Sequence, residues 1–160
     1  MDIFRTTIGG LALAVAAASA QCAEPPDGQV IERGRYLVKI SGCNDCHTPG
    51  YAQSGGNIPE QEWLTGDRLG WRGPWGTTFP GNLRLFMSKI SEDQWAEIAH
   101  GAQYRPPMPW FALRDMSAQD VRAIHRFVTH LGPAGEAAPA YLPPDQTPMG
   151  PVVMFPMPGK

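Results

Sequence analysis

The 160-residue sequence has few of the features that several common protein classes require. It contains no long basic run and its formal net charge is −2, so its charge does not predict nucleic-acid binding. Its longest apolar stretch is too short for an ordinary transmembrane helix. It has three cysteines and no internal repeat, and no second pair of ligands follows at zinc-finger spacing. Nucleic-acid-binding, membrane-spanning and zinc-finger classes are therefore disfavoured.

Glycine and proline, by contrast, are abundant. The chain has 18 glycines and 17 prolines, and eight of the prolines follow Leu131. This composition predicts long ordered loops and an extended C-terminal tail. Apolar residues make up 42 % of the chain, which is enough for the core of one domain.

The N-terminus has the pattern of a secretory signal peptide over residues 1–20. Arg5 precedes an apolar run over 8–18, and Ala18-Ser19-Ala20 places small residues before a cleavage site at Gln21. We therefore expect export to the bacterial periplasm. An uncleaved N-terminal anchor, or association with a membrane through a partner, is the alternative.

The chain is predicted to have four segments. Gln21 ahead of Cys22 disfavours lipidation, so we expect Cys22 to be a free thiol. The segments are a signal peptide (1–20), an N-terminal lead-in (21–28), a folded domain (29–132) and a Pro-rich C-terminal extension (133–160). The extension keeps several apolar residues, so we expect it to lie against the domain or a partner.

The sequence Cys43-Asn44-Asp45-Cys46-His47 is the most specific motif in the chain. Its two cysteines lie on one side of a helical turn, and a histidine follows at once. This pattern is typical of covalent c-type haem attachment, with one thioether from each cysteine and the histidine as an iron ligand. In an oxidising compartment the two thiols would otherwise tend to form a disulfide. The motif therefore predicts one haem c, bound through Cys43 and Cys46 and ligated by His47.

Three helices are predicted by periodicity and capping signals. The first covers 29–41, with Val30, Ile31, Tyr36, Leu37 and Ile40 on its apolar face. The second begins at Ser91, with Gln94 completing a capping box, and ends at Gly101; the third begins at Ser117, with Asp120 in the same role, and runs to Leu131. The segment 63–75 is predicted to be neither helix nor strand. Its tryptophans are expected on a haem edge or in a separate hydrophobic cluster.

Met108 is the favoured second axial iron ligand. It lies in a stiff Pro-Pro-Met-Pro segment between two predicted helices, and its soft sulfur favours ferrous iron. Met116 or a histidine is the alternative. Met87 is expected in the core, His100 at a helix end, and His125 and His130 in solvent.

Several segments together resemble class I cytochromes c. These are Gly34-Arg35-Tyr36-Leu37 ahead of the haem motif, Gly73-Pro74-Trp75-Gly76, the Asn-containing loop Phe79-Pro80-Gly81-Asn82-Leu83 before the middle helix, and Met108-Pro109-Trp110 followed by the third helix. The sequence is most similar to bacterial cytochrome c domains that serve periplasmic dehydrogenases. The resemblance covers roughly 29–132 and implies an all-α cytochrome c fold, with about three main helices around one covalently bound haem. It also implies that the first and last helices cross where Gly34 and Tyr36 meet Phe127.

The resemblance implies a non-enzymatic, single-haem electron-transfer protein of a respiratory chain. Iron would cycle between Fe(III) and Fe(II), taking electrons from a dehydrogenase or quinol-oxidising donor and passing them to a cytochrome or oxidase. The chain could equally be the cytochrome subunit of a dehydrogenase complex. Redox proteins are the expected partners. A haem enzyme or gas-binding sensor with an open or labile sixth iron site is the alternative. A thiol–disulfide oxidoreductase is disfavoured, because no strand–helix pattern surrounds Cys43.

Overall fold

The computed structural model describes residues 27–157. The predicted signal peptide, its cleavage site and Cys22 lie outside these residues. The described chain contains six α-helices, one 3₁₀ turn and three short strands. In chain order they are α1 (Asp27–Ile40), α2 (Cys43–His47), the 3₁₀ turn (Glu60–Glu62), β1 (Gly70–Gly73), β2 (Gly76–Thr78), α3 (Leu83–Met87), α4 (Glu92–Gly101), α5 (Trp110–Arg114), α6 (Ala118–Leu131) and β3 (Val152–Met154).

The expectation of an all-α fold is wrong, because the described chain also forms a three-stranded mixed sheet. β1 lies in the centre, antiparallel to β2 and parallel to β3. Trp71 pairs with Thr78 on one side and with Val153 on the other. Each strand has only three or four residues and β1 is half glycine, so no alternating pattern marks them. The same finding corrects the prediction that 63–75 contains no strand.

The three predicted main helices are confirmed as α1, α4 and α6. At α4, Ser91 and Gln94 form the complete capping box. At α6, the Ser117 side chain accepts from the N–H of Asp120, but the Asp120 carboxylate accepts from Arg33 on α1 instead. The second predicted capping box is therefore only half formed, and its carboxylate joins two helices.

Helices α1 and α6 cross in close contact at Gly34. A Cβ atom on Gly34 would lie 2.0 Å from the carbonyl oxygen of Ala123 and 2.7 Å from the Cβ of Phe127. Only glycine permits this approach. Tyr36, expected at the crossing, is 53 % exposed, and Ile40 is also exposed. Val30, Ile31 and Leu37 pack in or against the core as predicted, and Val38 is buried beside them, so only Tyr36 and Ile40 depart from the predicted face.

Helix α4 packs on α6 through buried and charged contacts. The indole N–H of Trp95 donates to the carbonyl of Val121 at 2.8 Å. Glu92 accepts from Arg126 at 2.7 Å and also pairs with Arg122. His125 is buried and its Nε2 bonds the Ile90 carbonyl at 3.1 Å, which corrects the expectation that it is solvated. His130 is exposed and Met87 is buried, as predicted.

The C-terminal extension lies along the domain over residues 134–155. Thr77 and Leu142 exchange two backbone hydrogen bonds, and β3 pairs with β1. Phe155 packs against Trp71 and Trp75, with ring centroids 6.1 and 5.1 Å away. The extension thus completes both the sheet and an aromatic cluster on it.

A search of the described residues for membrane-spanning helices found none with the length and apolar character that a crossing requires.

Replacement of Gly34 by alanine tests the helix crossing. The new Cβ would overlap backbone atoms of Ala123, so the helices must separate, at a cost of more than about 3 kcal/mol. Gly28→Ala is the matched control, because it lies in the same helix with no atom within 4 Å of the new Cβ. We expect chemical denaturation to show a large decrease in the free energy of unfolding for Gly34→Ala and no decrease for Gly28→Ala. Equal effects would contradict the crossing.

The ion pairs of Glu92 predict a pH-dependent contribution to stability. Burial raises the pKa of Glu92, but hydrogen bonds from Arg126 and Arg122 outweigh this and hold it below its usual value. Because the folded-state pKa is lowered, the contribution is present at neutral pH and is lost as pH falls through that pKa. Glu92→Gln should therefore lower the Tm at pH 7 and have little effect near pH 3. Glu97 is exposed on the same helix, so Glu97→Gln should leave the Tm unchanged at both pH values. A constant Tm difference at both pH values would refute the prediction.

Candidate functional site

Helix α2 presents the cysteine–histidine motif on a little more than one turn. Gly42 precedes it with a φ of 71°, a left-handed conformation that suits glycine. Cys43 and Cys46 are three residues apart in this helix, so they lie on the same side of it. Both thiols are free. A single ligand can therefore reach both sulfurs from one direction.

The opposite side of α2 is fixed by a buried polar relay. Asn44 is 0 % and Thr48 1 % exposed, and the Thr48 hydroxyl donates to the Asn44 side-chain oxygen at 2.8 Å. The same hydroxyl accepts from the N–H of Leu64 at 2.8 Å. The relay joins α2 to the next loop and leaves the two thiols on the other side.

The His47 imidazole has a defined orientation. Its Nδ1 lies 2.7 Å from the carbonyl oxygen of Gly81, so Nδ1 carries the proton and donates it. The other ring nitrogen, Nε2, then holds the free lone pair, which is the arrangement that a metal-ligating histidine needs. Burial lowers the pKa of His47 and so favours the neutral ring, although the hydrogen bond to Gly81 acts in the opposite direction.

Cys43, Cys46 and His47 are each partly exposed. Desolvation by the surrounding protein raises the pKa values of both thiols and lowers the pKa of the imidazole. The motif is therefore partly enclosed by protein and still accessible.

The protonation of the two thiols distinguishes between possible chemistries. Burial raises the pKa of Cys43 to about 11, and burial together with Asp45 and Asp67 raises that of Cys46. A reactive thiol–disulfide pair needs a lowered pKa, so that a thiolate is present at neutral pH. The pair therefore lacks the electrostatic environment of a disulfide oxidoreductase.

Met108 lies in the loop between α4 and α5. Its N–H donates to the Arg105 carbonyl at 3.3 Å, and its own carbonyl accepts from Trp110 at 2.9 Å. The Thr78 hydroxyl donates to the Pro106 carbonyl at 2.7 Å, which ties this loop to β2. Met108 is half-buried against the main hydrophobic core, and Cys43 packs against the same core. The structure therefore holds Met108 at the border of the core that the haem motif also borders, while its ligation of iron stays a prediction.

Two of the alternative iron ligands, His100 and His125, are engaged elsewhere. Nε2 of His125 bonds Ile90, and Nε2 of His100 bonds the Met116 carbonyl at 3.1 Å. Met116 is half-buried against the core. Each of these two histidines would have to break a hydrogen bond before its Nε2 could bind a metal.

The donor set fits a covalently bound haem. Two free thiols lie on one side of a helix, a neutral imidazole keeps its Nε2 lone pair, and a half-buried thioether is held in a separate loop. Thiols can form thioethers with the vinyl groups of a haem, and imidazole and thioether side chains suit its iron. Among the described residues, Asn44 Nδ2, Trp71 Nε1 and Trp75 Nε1 are buried without a partner.

Sequence reasoning missed the residues that support the motif. The Gly81 carbonyl acts through its backbone, and no side-chain pattern reveals which carbonyl will face a histidine. Thr48 and Asn82 are buried polar residues, and each has a partner 16 or more positions away, Leu64 for Thr48 and Ala134 and Glu136 for Asn82. The resemblance to cytochromes c included the loop that contains Gly81 and Asn82, and asparagine ahead of Leu83 is a preferred helix N-cap, but neither signal predicts the contact with His47.

Comparisons with known proteins found no match among family models, curated proteins or solved structures. Within 27–157, no group of three or more His, Cys, Asp or Glu side chains is placed to hold a metal ion.

Thr48→Val tests the relay behind α2. Valine has nearly the same shape but cannot accept from Leu64, so it leaves a buried N–H unpaired and should cost about 1–3 kcal/mol. Thr129→Val is the control, because the Thr129 hydroxyl lies on exposed helix surface and bonds only local carbonyls. Denaturant unfolding should show a clear decrease in the free energy of unfolding for Thr48→Val and a small decrease for Thr129→Val. Similar decreases for the two variants would show that the relay contributes nothing specific to stability.

Proposed function

We propose that this protein is a periplasmic, single-haem electron-transfer protein. Cys43 and Cys46 would hold the haem covalently, and His47 and Met108 would ligate its iron. The observation that carries the proposal is the His47 ring, whose Nδ1 donates to Gly81 within a Cys-x-x-Cys-His turn and whose Nε2 is free to bind a metal.

The haem, when bound, supplies the one-electron exchange between Fe(III) and Fe(II). The chain supplies position and environment. Helix α2 aims both thiols to one side, and the relay through Thr48 keeps that helix in place. Gly81 holds the imidazole in one tautomer. The loop around Met108, tied to β2, presents a soft sulfur without depending on helical geometry.

The protein would then supply both iron ligands that the haem itself does not provide. A filled coordination shell changes little between oxidation states and leaves no position for a substrate, so we propose a carrier with no catalytic residues. A haem enzyme or gas sensor would instead need an open or labile sixth site. The raised pKa of Cys43 disfavours thiol–disulfide exchange, which needs a thiolate at neutral pH.

Redox proteins are the proposed partners, with a dehydrogenase or quinol-oxidising complex as donor and a cytochrome or oxidase as acceptor. Exposed aromatic residues, Tyr104 (39 %) and Phe111 (54 %), flank the Met108 segment. Aromatic side chains are enriched in protein interfaces, and electron-transfer contacts are usually small and transient. These residues therefore give a surface on which a partner could dock near Met108.

Replacement of Met108 tests the axial ligand. The full chain should be produced with a haem-attachment system and examined by a pyridine haemochrome assay, oxidised and reduced spectra, and carbon monoxide titration. We expect a c-type haemochrome and no carbon monoxide binding for the parent. Met108→Ala should lose the sulfur-to-iron band and bind carbon monoxide, because an axial position opens.

Met116→Ala is the matched control, since Met116 borders the same core and is expected to leave the spectrum unchanged. Ready carbon monoxide binding by the parent would contradict the proposed carrier function and favour a haem enzyme or gas sensor. Absence of covalent haem from the parent would refute both.

A further inference from the structure

The hydrogen bond from His47 Nδ1 requires the Gly81 carbonyl to be held in a fixed position. Gly81 is exposed, and no atom lies within 4 Å of the position that a Cβ would take. Side-chain packing therefore does not fix this peptide. Its position must come from the residues on either side, Pro80 and Asn82.

Asn82 is the buried residue that anchors this loop. It is 7 % exposed, and all of its side-chain hydrogen-bonding groups have partners. Its Oδ1 accepts from the N–H of Leu85 at 2.9 Å and so caps α3. Its Nδ2 donates to the carbonyls of Ala134 at 2.8 Å and Glu136 at 3.0 Å. One side chain thus joins the loop beside His47 to both α3 and the C-terminal extension.

A second set of contacts joins the same loop to the backbone of His47 through Gly66 and Asp67. The N–H of Gly66 donates to the His47 carbonyl at 2.8 Å. Gly66 has a φ of +79°, and a Cβ there would lie 2.8 Å from the backbone nitrogen of Asn82 and 2.9 Å from the Pro80 oxygen. The backbone N–H of Asp67 donates to that Pro80 oxygen at 3.1 Å. Gly66 and Asp67 therefore contact one side of the loop, and the side chain of Asn82 ties the loop to α3 and the C-terminal extension.

We propose that Asn82 is a positioning residue for the axial histidine, and that through it the C-terminal extension helps to set the reduction potential of the iron. This inference rests on the proposed function. A carbonyl that accepts from Nδ1 makes Nε2 a stronger donor, and a stronger donor stabilises Fe(III). A loop released from the extension weakens the bond between Gly81 and His47. The potential then rises.

Asn82→Ser separates positioning from capping. Serine is also a preferred N-cap, so it can still accept from Leu85, but it is too short to donate to Ala134 and Glu136. We expect the reduction potential of this variant to rise. In a solution held at the midpoint potential of the parent, its ferrous-to-ferric ratio should be roughly threefold higher or more, which corresponds to a rise of about 28 mV or more for one electron. The NMR signals of the axial histidine ring should shift as well.

Gly135→Ala perturbs the same anchor from the other side. Gly135 has a φ of +74°, and its Cβ would lie 3.1 Å from Asn82 Nδ2, so alanine there strains the turn that presents the two carbonyls. We expect the potential to move in the same direction as in Asn82→Ser. The new Cβ would also lie 3.1 Å from the Cβ of Thr65. Gly135 itself is exposed and Asn82 is left intact, so this variant gives the answer even where Asn82→Ser fails to mature.

Ser91→Ala is the control for a general loss of stability. It removes the N-cap of α4, which is comparable to an altered cap on α3, but makes no contact with the His47 loop. A lower Tm with an unchanged potential is expected for this variant. If Asn82→Ser and Gly135→Ala also lose stability without a change in potential or histidine signals, Asn82 is only a structural cap and the inference is wrong. A parent that lacks covalent haem would instead refute the proposed function, and the inference with it.

Discussion

The close crossing of α1 and α6 at Gly34 is the contact on which the rest of the structure depends. It brings the backbone of Ala123 and the Phe127 side chain against the glycine, with no room for a Cβ atom. Helix α2 begins three residues after α1 ends, so the crossing also fixes where the cysteine–histidine turn starts. Residues of α6 supply much of the buried core. A small change in this helix distance would therefore move the candidate site.

The site is fixed by a series of backbone contacts from distant segments. The back of α2 is joined to Leu64, the His47 carbonyl to Gly66, and the His47 ring to Gly81. A histidine constrained at both its backbone and its ring loses little conformational freedom when it binds a metal. This arrangement explains how a short helix in a Gly- and Pro-rich region can hold a ligand in one orientation.

Local signals in the sequence predicted the local structure well. The Ser91 cap, the glycine stop after Leu131 and the apolar spacing of α6 each act over a few residues, so they can be recognised without knowledge of the fold. The strands could not be recognised in this way. β3 pairs with β1 about 80 residues earlier, and that pairing depends on the path of the whole chain. His125 was misjudged for a similar reason, because its partner Ile90 comes from another segment. The cysteine–histidine motif was recognisable, but the Gly81 carbonyl behind it was not.

The correction from an all-α fold to one with a mixed sheet bears directly on function. β3 belongs to the extension, and the strand beside it carries Trp71, which packs on Phe155. The extension also provides the two carbonyls that bind Asn82. The extension therefore contacts both the sheet and the loop that orients His47. A segment that the sequence marks only as proline-rich thus connects one face of the domain to the loop that orients the candidate iron ligand.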